Sequence, residues 1–237
     1  MSILSKIQAP IYDITIPSTG KKAKFRPFFV KEERALLAAY ESEDTHVMLN
    51  TLLSVVENTI EPKSAFGAGL TAYDVEYIFT HIRAKSVGEW STVIMRCDTC
   101  EDENAKTPVN IDLRTVEIHY PIPGDSSLIK LNDKLMIQMR QPTVDSLISQ
   151  LDADKIGKRE SVLQAIETIF LGDDVYHAAE EPPEEIAEFI DSLTSKDFSK
   201  LEEFIENAPY ARIPVTYTCP VCKVEKHKYI KGLKNFF

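Results

Sequence analysis

Glycine is scarce in this chain, at eight of 237 residues. None of the familiar catalytic loops can be written with the glycines present. There is no Gly-x-Gly-x-x-Gly, no phosphate-binding Gly-Lys-Ser/Thr loop, no Gly-x-Ser-x-Gly, and the zinc-protease pattern His-Glu-x-x-His is also missing. Ser18-Thr19-Gly20-Lys21-Lys22 imitates a phosphate loop, but it lacks the upstream glycine and the following helix, so it reads as a hairpin turn. Positive charge is also short. Twenty-seven Lys and Arg face 37 Asp and Glu, for a net charge of -10 and a pI of about 5.1, which excludes a protein that coats nucleic acid over its whole surface. No run approaches the roughly 18 apolar residues of a membrane span, and the opening MSILSKIQAPIYDI has no apolar signal core. The expected setting is therefore a reducing cytoplasm, with no membrane partner.

The chain does have enough apolar residues for a substantial core, 43% hydrophobic against 27% charged. Tyr12, Ile14 and Ile16 alternate with polar residues. Pro17 to Gly20 supplies a turn, and Lys22 to Phe28 continues as a second strand. Helices are expected at Val30 to Tyr40, at Thr45 to Glu57 and after Thr71, whose spacing to Asp74 resembles a capping box. Strands are expected at Glu89 to Arg96 and Val109 to Ile118, and a hairpin at Leu128 to Met139 around Asn132-Asp133. The pattern predicts further helices at Val144 to Leu151, Glu160 to Phe170, Glu184 to Leu193 and Asp197 to Glu206. A strand pair, Ile213 to Ile230, closes the chain. This order is not a repeating βα alternation, so the expected class is α+β.

Four cysteines stand in two Cys-x-x-Cys pairs, Cys97/Cys100 and Cys219/Cys222. Each pair follows a β-type run and precedes a polar turn and more β-type sequence, as in a zinc knuckle. Two intervening residues let one turn supply two corners of a tetrahedron. Four thiolates at about 2.3 Å leave zinc no open position, so such a site is structural. Closed sites of this kind contribute about 10–16 kcal/mol in zinc-finger peptides. A thioredoxin-like redox pair, two disulfides and four unrelated buried thiols are the competing readings. Against the first, neither pair opens an amphipathic helix. Against the zinc reading stands the separation, 118 residues between Cys100 and Cys219. Closure cost grows only logarithmically with loop length, so an insert that folds by itself is tolerated. The expected organisation is residues 1–88 as hairpin and helices, 89–119 with 211–237 as a split zinc-ribbon unit, and 120–210 as an inserted hairpin-plus-helices subdomain. His119, His177 and His227 could in principle replace a ligand, and His227 is within reach of a pair, but with four cysteines available surface histidines are the favoured reading.

Two charged stretches remain. Asp173 to Glu206 holds twelve acidic residues against Lys196 and Lys200. The stripes Ile186, Phe189, Ile190, Leu193 and Phe198, Leu201, Phe204, Ile205 mark these as solvated faces of amphipathic helices rather than a carboxylate site. A basic protein partner is the alternative. The C-terminus reverses the sign, with Lys223, Lys226, Lys228, Lys231 and Lys234 against Glu225 and with Tyr229, Phe236 and Phe237 interleaved. This supports a second reading, a nucleic-acid-binding zinc-ribbon protein, although docking on the chain's own acidic residues or on a partner fits equally.

The run from Ile16 through Pro17-Ser18-Thr19-Gly20, Arg26-Pro27-Phe28 and Val30-Lys31-Glu32-Glu33 resembles small tail proteins of T4-type contractile-tailed phages, the baseplate hub subunits and hub assembly proteins. Arg34 stands where that family has lysine. Ile129-Lys130-Leu131 through Met139-Arg140-Gln141-Pro142-Thr143 is similar to the family's hairpin and its exit, and the length and split cysteine pairs agree. The resemblance implies a non-enzymatic protein that acts through contacts with other baseplate or tail proteins. It would work in the host cytoplasm during assembly and, as a second location, in the virion baseplate. It does not separate a virion component from an assembly factor, and it leaves the oligomeric state open.

Overall fold

A computed structural model describes residues 9–100, 102–121, 127–146, 148 and 157–231. In chain order the first elements are β1 (Tyr12–Thr15), β2 (Lys22–Phe25), α1 (Val30–Glu41), α2 (Thr45–Thr59), β3 (Ile60–Glu61), α3 (Ala72–Ser86), β4 (Trp90–Arg96), β5 (Lys106–Asp112) and β6 (Glu117–His119). Then follow β7 (Leu128–Lys130), β8 (Leu135–Met139), α4 (Lys158–Ala165), β9 (Ile166–Leu171), β10 (Asp174–His177), α5 (Pro183–Asp191), α6 (Ser195–Glu206), β11 (Tyr210–Thr218) and β12 (Glu225–Lys231). The fold is α+β, as the order of patterns predicts. The chain divides into two compact units, residues 1–119 with 210–237, and residues 120–209.

In the first unit β1 and β2 form the expected hairpin, with Tyr12 opposite Phe25 and Thr15 opposite Lys22, and β3 pairs along the other side of β2. Gly20 takes φ +64° in the turn, a conformation open to glycine without steric cost. The turn is also tied down. Asp74 accepts hydrogen bonds from the Thr71 N–H at 2.9 Å, the Thr71 hydroxyl at 2.7 Å and the Ser18 N–H at 2.9 Å. The Thr71 box thus starts α3 and also anchors the hairpin turn on the helix. The Thr19 hydroxyl adds a bond to the Ala65 carbonyl at 2.9 Å. Asp44 caps α2 by accepting from His46 and Val47. Ile78, Phe79 and Ile82 of α3 and Val56 of α2 are fully buried.

The later strands of this unit build two small sheets, β4 with β5 and, in the order β12-β11-β6, a three-stranded antiparallel sheet. The expected strand from Val109 to Ile118 is broken by a 3-10 turn at Leu113–Thr115, where Asp112 accepts from the Arg114 N–H. Ala84 of α3 packs in one cluster with Ile111, Leu113, Val116, Ala211, Ile213, Val215 and Ile230.

The second unit has its own core. The order β10-β9-β8-β7 makes a four-stranded antiparallel sheet, and α4, α5 and α6 contribute Val162, Ala165, Ile186, Ile190, Leu201 and Phe204 to a cluster with Ile137, Met139, Ile166 and Ile169. The hairpin around Asn132-Asp133 is present, with Ile129 opposite Ile137. The helix expected at Val144 to Leu151 is seen at Val144–Ser146 and residue 148, and its remainder lies outside the described residues. The helix expected from Glu160 to Phe170 is corrected. It stops at Ala165, and Ile166–Leu171 is the strand β9. Val162, Ile166 and Ile169 fit a helical stripe, but β-branched Ile166, Thr168 and Ile169 favour the extended chain, and pairing to both β8 and β10 decides it.

Candidate metal centre

The two knuckles are turns between antiparallel strands. Cys97 follows β4 and its N–H donates to the Ala105 carbonyl at 3.0 Å, which brings the chain back toward β5. Cys219 follows β11. Its N–H donates to the Val224 carbonyl and its carbonyl accepts from the Lys223 N–H, both at 3.0 Å. Lys223 is left-handed at φ 60°, an uncommon conformation for a residue with a Cβ.

These turns bring the sulfurs of Cys97, Cys100, Cys219 and Cys222 within 4.8 Å of one another. Across the pairs, Cys97 Sγ lies 4.0 Å from Cys222 Sγ and Cys100 Sγ lies 3.9 Å from Cys219 Sγ. A regular tetrahedron with metal–sulfur bonds of about 2.3 Å has sulfur–sulfur edges of about 3.8 Å, whereas a disulfide needs about 2.05 Å. All four cysteines are free thiols. The donor set therefore fits a four-coordinate ion. Cys97 and Cys219 are buried and pack with Ala105, while Cys100 and Cys222 are half-buried at the rim.

The surroundings favour thiolate at Cys97 and Cys219 and oppose it at Cys100. The N–H of Thr99, followed by that of Cys100, pulls the Cys97 thiol down to about 6. Burial pushes Cys219 up, but the N–H groups of Cys222 and Val221 outweigh it, and the net shift is downward. Cys100 moves the other way, up to about 12, because of its hydrogen bond with Cys222 and then its burial. Any cation bound there would have to displace the thiol protons.

The knuckles are also cross-linked by groups not apparent from the sequence. Lys226 and Lys228, on the same face of β12, both reach Asp98 at 3.3 Å. The carboxylate holds Lys226 above the usual lysine range, and Lys226 in turn holds Asp98 below the usual carboxylate range. The Tyr217 hydroxyl and the Lys228 ammonium donate to the Arg96 carbonyl at 2.8 and 3.2 Å. Lys226 of the basic C-terminal run therefore stands near Cys97 and Cys222, where its positive charge favours negative charge on sulfur. The alternation that puts Lys226 and Lys228 on one strand face was legible. Their partner was not, because Asp98 arrives from the other knuckle.

The spare histidines are elsewhere. His227 bonds to the Thr216 hydroxyl at 2.9 Å and to Glu225, His119 stacks on Tyr210, and His177 bonds to Thr168 in the second unit. Among the described residues no other His, Cys, Asp or Glu group is arranged to hold a metal. In the acidic stretch, Ile186, Ile190, Leu201 and Phe204 are buried. Asp191, Glu206 and Asp197 pair with Arg159, Lys158 and Lys200, so these helices show the amphipathic pattern. Phe236, Phe237 and Lys234 lie outside the described residues. No described helix is long and apolar enough to cross a membrane.

Compared with known proteins, the chain matches the family described as T4 bacteriophage base plate protein over residues 9–237. No curated protein and no solved structure gives a significant match.

Proposed function

Because the chain belongs to the T4 bacteriophage base plate protein family, we propose that it is a non-catalytic component or assembly factor of the baseplate hub, held in shape by one structural zinc ion on Cys97, Cys100, Cys219 and Cys222. The observation that carries this reading is the extent of the family match, which spans both compact units rather than the cysteine turns alone. Membership supports work among tail proteins, with other baseplate or tail proteins as the partners. The four-sulfur donor set supports the zinc assignment, since soft thiolates select zinc over the hard cations and leave no ligand position for a reacting water. The zinc-ribbon division into residues 1–88, 89–119 with 211–237, and 120–210 is part of the same proposal. Assembly would take place in the host cytoplasm.

The nucleic-acid reading starts from the lysine-rich C-terminus. Two of those lysines, Lys226 and Lys228, are engaged by Asp98, which leaves that reading less free charge to neutralise phosphate.

The test is genetic and analytical. A phage with this gene deleted is expected to accumulate tail precursors without complete baseplates, and supplying the chain in trans restores them. The purified chain is expected to carry one zinc per molecule by elemental analysis. Normal baseplates in the deletion would remove the assembly role. Purified chain without stoichiometric metal would remove the zinc assignment.

A further inference from the structure

The ribbon of β4 and β5 has two unlike faces. Its register sets Trp90 opposite Asp112, Thr92 opposite Asn110, Ile94 opposite Pro108 and Arg96 opposite Lys106. The alternate residues Val93, Met95, Val109 and Ile111 pack into the core cluster. The outward face of such a ribbon is ordinarily polar. Here it carries the chain's single tryptophan, 60% exposed, Ile94, 62% exposed, and exposed Pro108. Between them the Thr92 hydroxyl donates to Asn110 at 2.7 Å and ties the two strands together. Exposed apolar side chains at outward strand positions, interrupted only by the Thr92–Asn110 pair, mark a surface that becomes covered, and an exposed tryptophan is a common anchor of such contacts.

Charge identifies what covers it. At the Trp90 end, Lys85, Glu89, Asp112 and Arg114 pair with one another. At the other end Arg96 and Lys106 face each other across the ribbon, a repulsive arrangement, and neither has an acidic partner among the described residues. A carboxylate from outside would relieve that repulsion. Trp90 alone offers a stacking plane, while Ile94 and Pro108, next to Arg96 and Lys106, offer aliphatic packing, which favours a protein surface over a run of nucleotide bases. Pro108 has no N–H to offer a further strand, which weakens the β5 edge as a docking site relative to the face.

We propose that the outward face of β4 and β5, with Trp90, Ile94 and Pro108 flanked by Arg96 and Lys106, docks a second baseplate protein that presents an apolar groove bordered by carboxylates. This rests on the assembly role proposed above. The experiment places the photo-crosslinker p-benzoylphenylalanine at position 94 in phage-infected cells, with position 37 on α1, also exposed, as the control. Irradiation is expected to give one adduct from position 94 to another baseplate protein, identified by peptide mass, that the control does not give. That adduct is lost in Trp90→Ser and in Arg96→Glu chains whose thermal melts match the wild type, and the combined variant lowers phage yield by about tenfold or more. No adduct, an adduct to a second copy or to nucleic acid, or an adduct that persists in both variants would overturn the proposal. The two readings fail separately. If deletion of the whole gene leaves baseplates intact, the assembly role falls. If deletion abolishes them and the combined variant restores them fully, only the docking surface falls.

Discussion

Cys219 is fully buried and Cys97 nearly so, while Cys100 and Cys222 stand at the rim, so the four proposed ligands are not equivalent. Replacing Cys219 or Cys97 by serine removes a thiolate where solvent cannot substitute. Either change is expected to abolish stoichiometric zinc and to cost several kcal/mol, about the size of a small domain's whole stability. Elemental analysis with a denaturant titration would check this, and retention of the metal by Cys219→Ser would count against the site. Ligation requires thiolates, so affinity should fall as pH falls, with protons taken up as the ion leaves. Lys223 lends itself to a test of opposite sign. Its φ of 60° strains any residue with a Cβ, and Lys223→Gly relieves this at the cost of a more flexible unfolded chain. A net gain of about 0.5–1 kcal/mol is expected, read as a higher denaturation midpoint with the metal content unchanged.

At the scale of the elements, two carboxylates should show opposite pH behaviour. Glu32 at the start of α1 is nearly buried. Burial would push its carboxyl up, but the Arg26 guanidinium, at 2.7 and 3.0 Å, and the Phe29 N–H, at 2.6 Å, together hold it below the usual range. The stability it contributes is present above the unfolded carboxylate range and is lost as pH falls through the lower folded value. Glu32→Ala leaves Arg26 without its partner and is expected to cost about 3 kcal/mol at neutral pH, with the difference from wild type shrinking in acid. Glu76 on α3 is the reverse. Burial pushes it up although it accepts the Ala211 N–H at 3.1 Å. Its favourable contribution is full below the unfolded range and is lost as pH rises through the raised value. Glu76→Gln keeps an acceptor for Ala211, so the variant should gain on wild type as pH rises from about 4 to 8. Paired pH-dependent denaturation curves would show both trends. The elements also show how far sequence pattern reaches. The β1–β2 turn and the Thr71 box were legible because their signals are local. The end of α4 was not, because Ile166 and Ile169, three residues apart, fit a helix period rather than a strand alternation, and the register shift at Gln138/Met139 that accommodates them is set by pairing with β8. Strand β10 has no inward-facing apolar set at all, as each of its residues is exposed, and only pairing with β9 defines it. The cysteine cluster was legible because residue type and spacing carry its chemistry. The Asp98–Lys226–Lys228 link depends on strand register and was not.

For the whole molecule, the uneven spread of charge and the way the insert is attached matter most. Residues 120–209 carry 8 Lys and Arg against 19 Asp and Glu, a formal -11, while the rest of the chain carries 19 against 18. The acidity of the protein is thus almost wholly a property of the second unit, whose core cluster draws on no residue of the first. Residues 120–209 expressed alone are expected to fold, with cooperative melting by circular dichroism, and to be indifferent to chelators. The remaining segments joined by a two-residue Asn-Gly turn are expected to bind zinc and to unfold when it is stripped. A second unit that needs zinc, or a joined remainder without metal affinity, would contradict this separation. The reason lies in one pairing. His119 and Tyr210, where the insert leaves and re-enters, face each other in the antiparallel register of β6 and β11. Once that pair has formed, the chain length between Cys100 and Cys219 no longer enters the entropy of bringing the sulfurs together, because a folded insert bridges a gap only about one strand spacing wide. The intervening segment could lengthen, shorten or be exchanged for another folded body, and the four sulfurs would still meet in the same place.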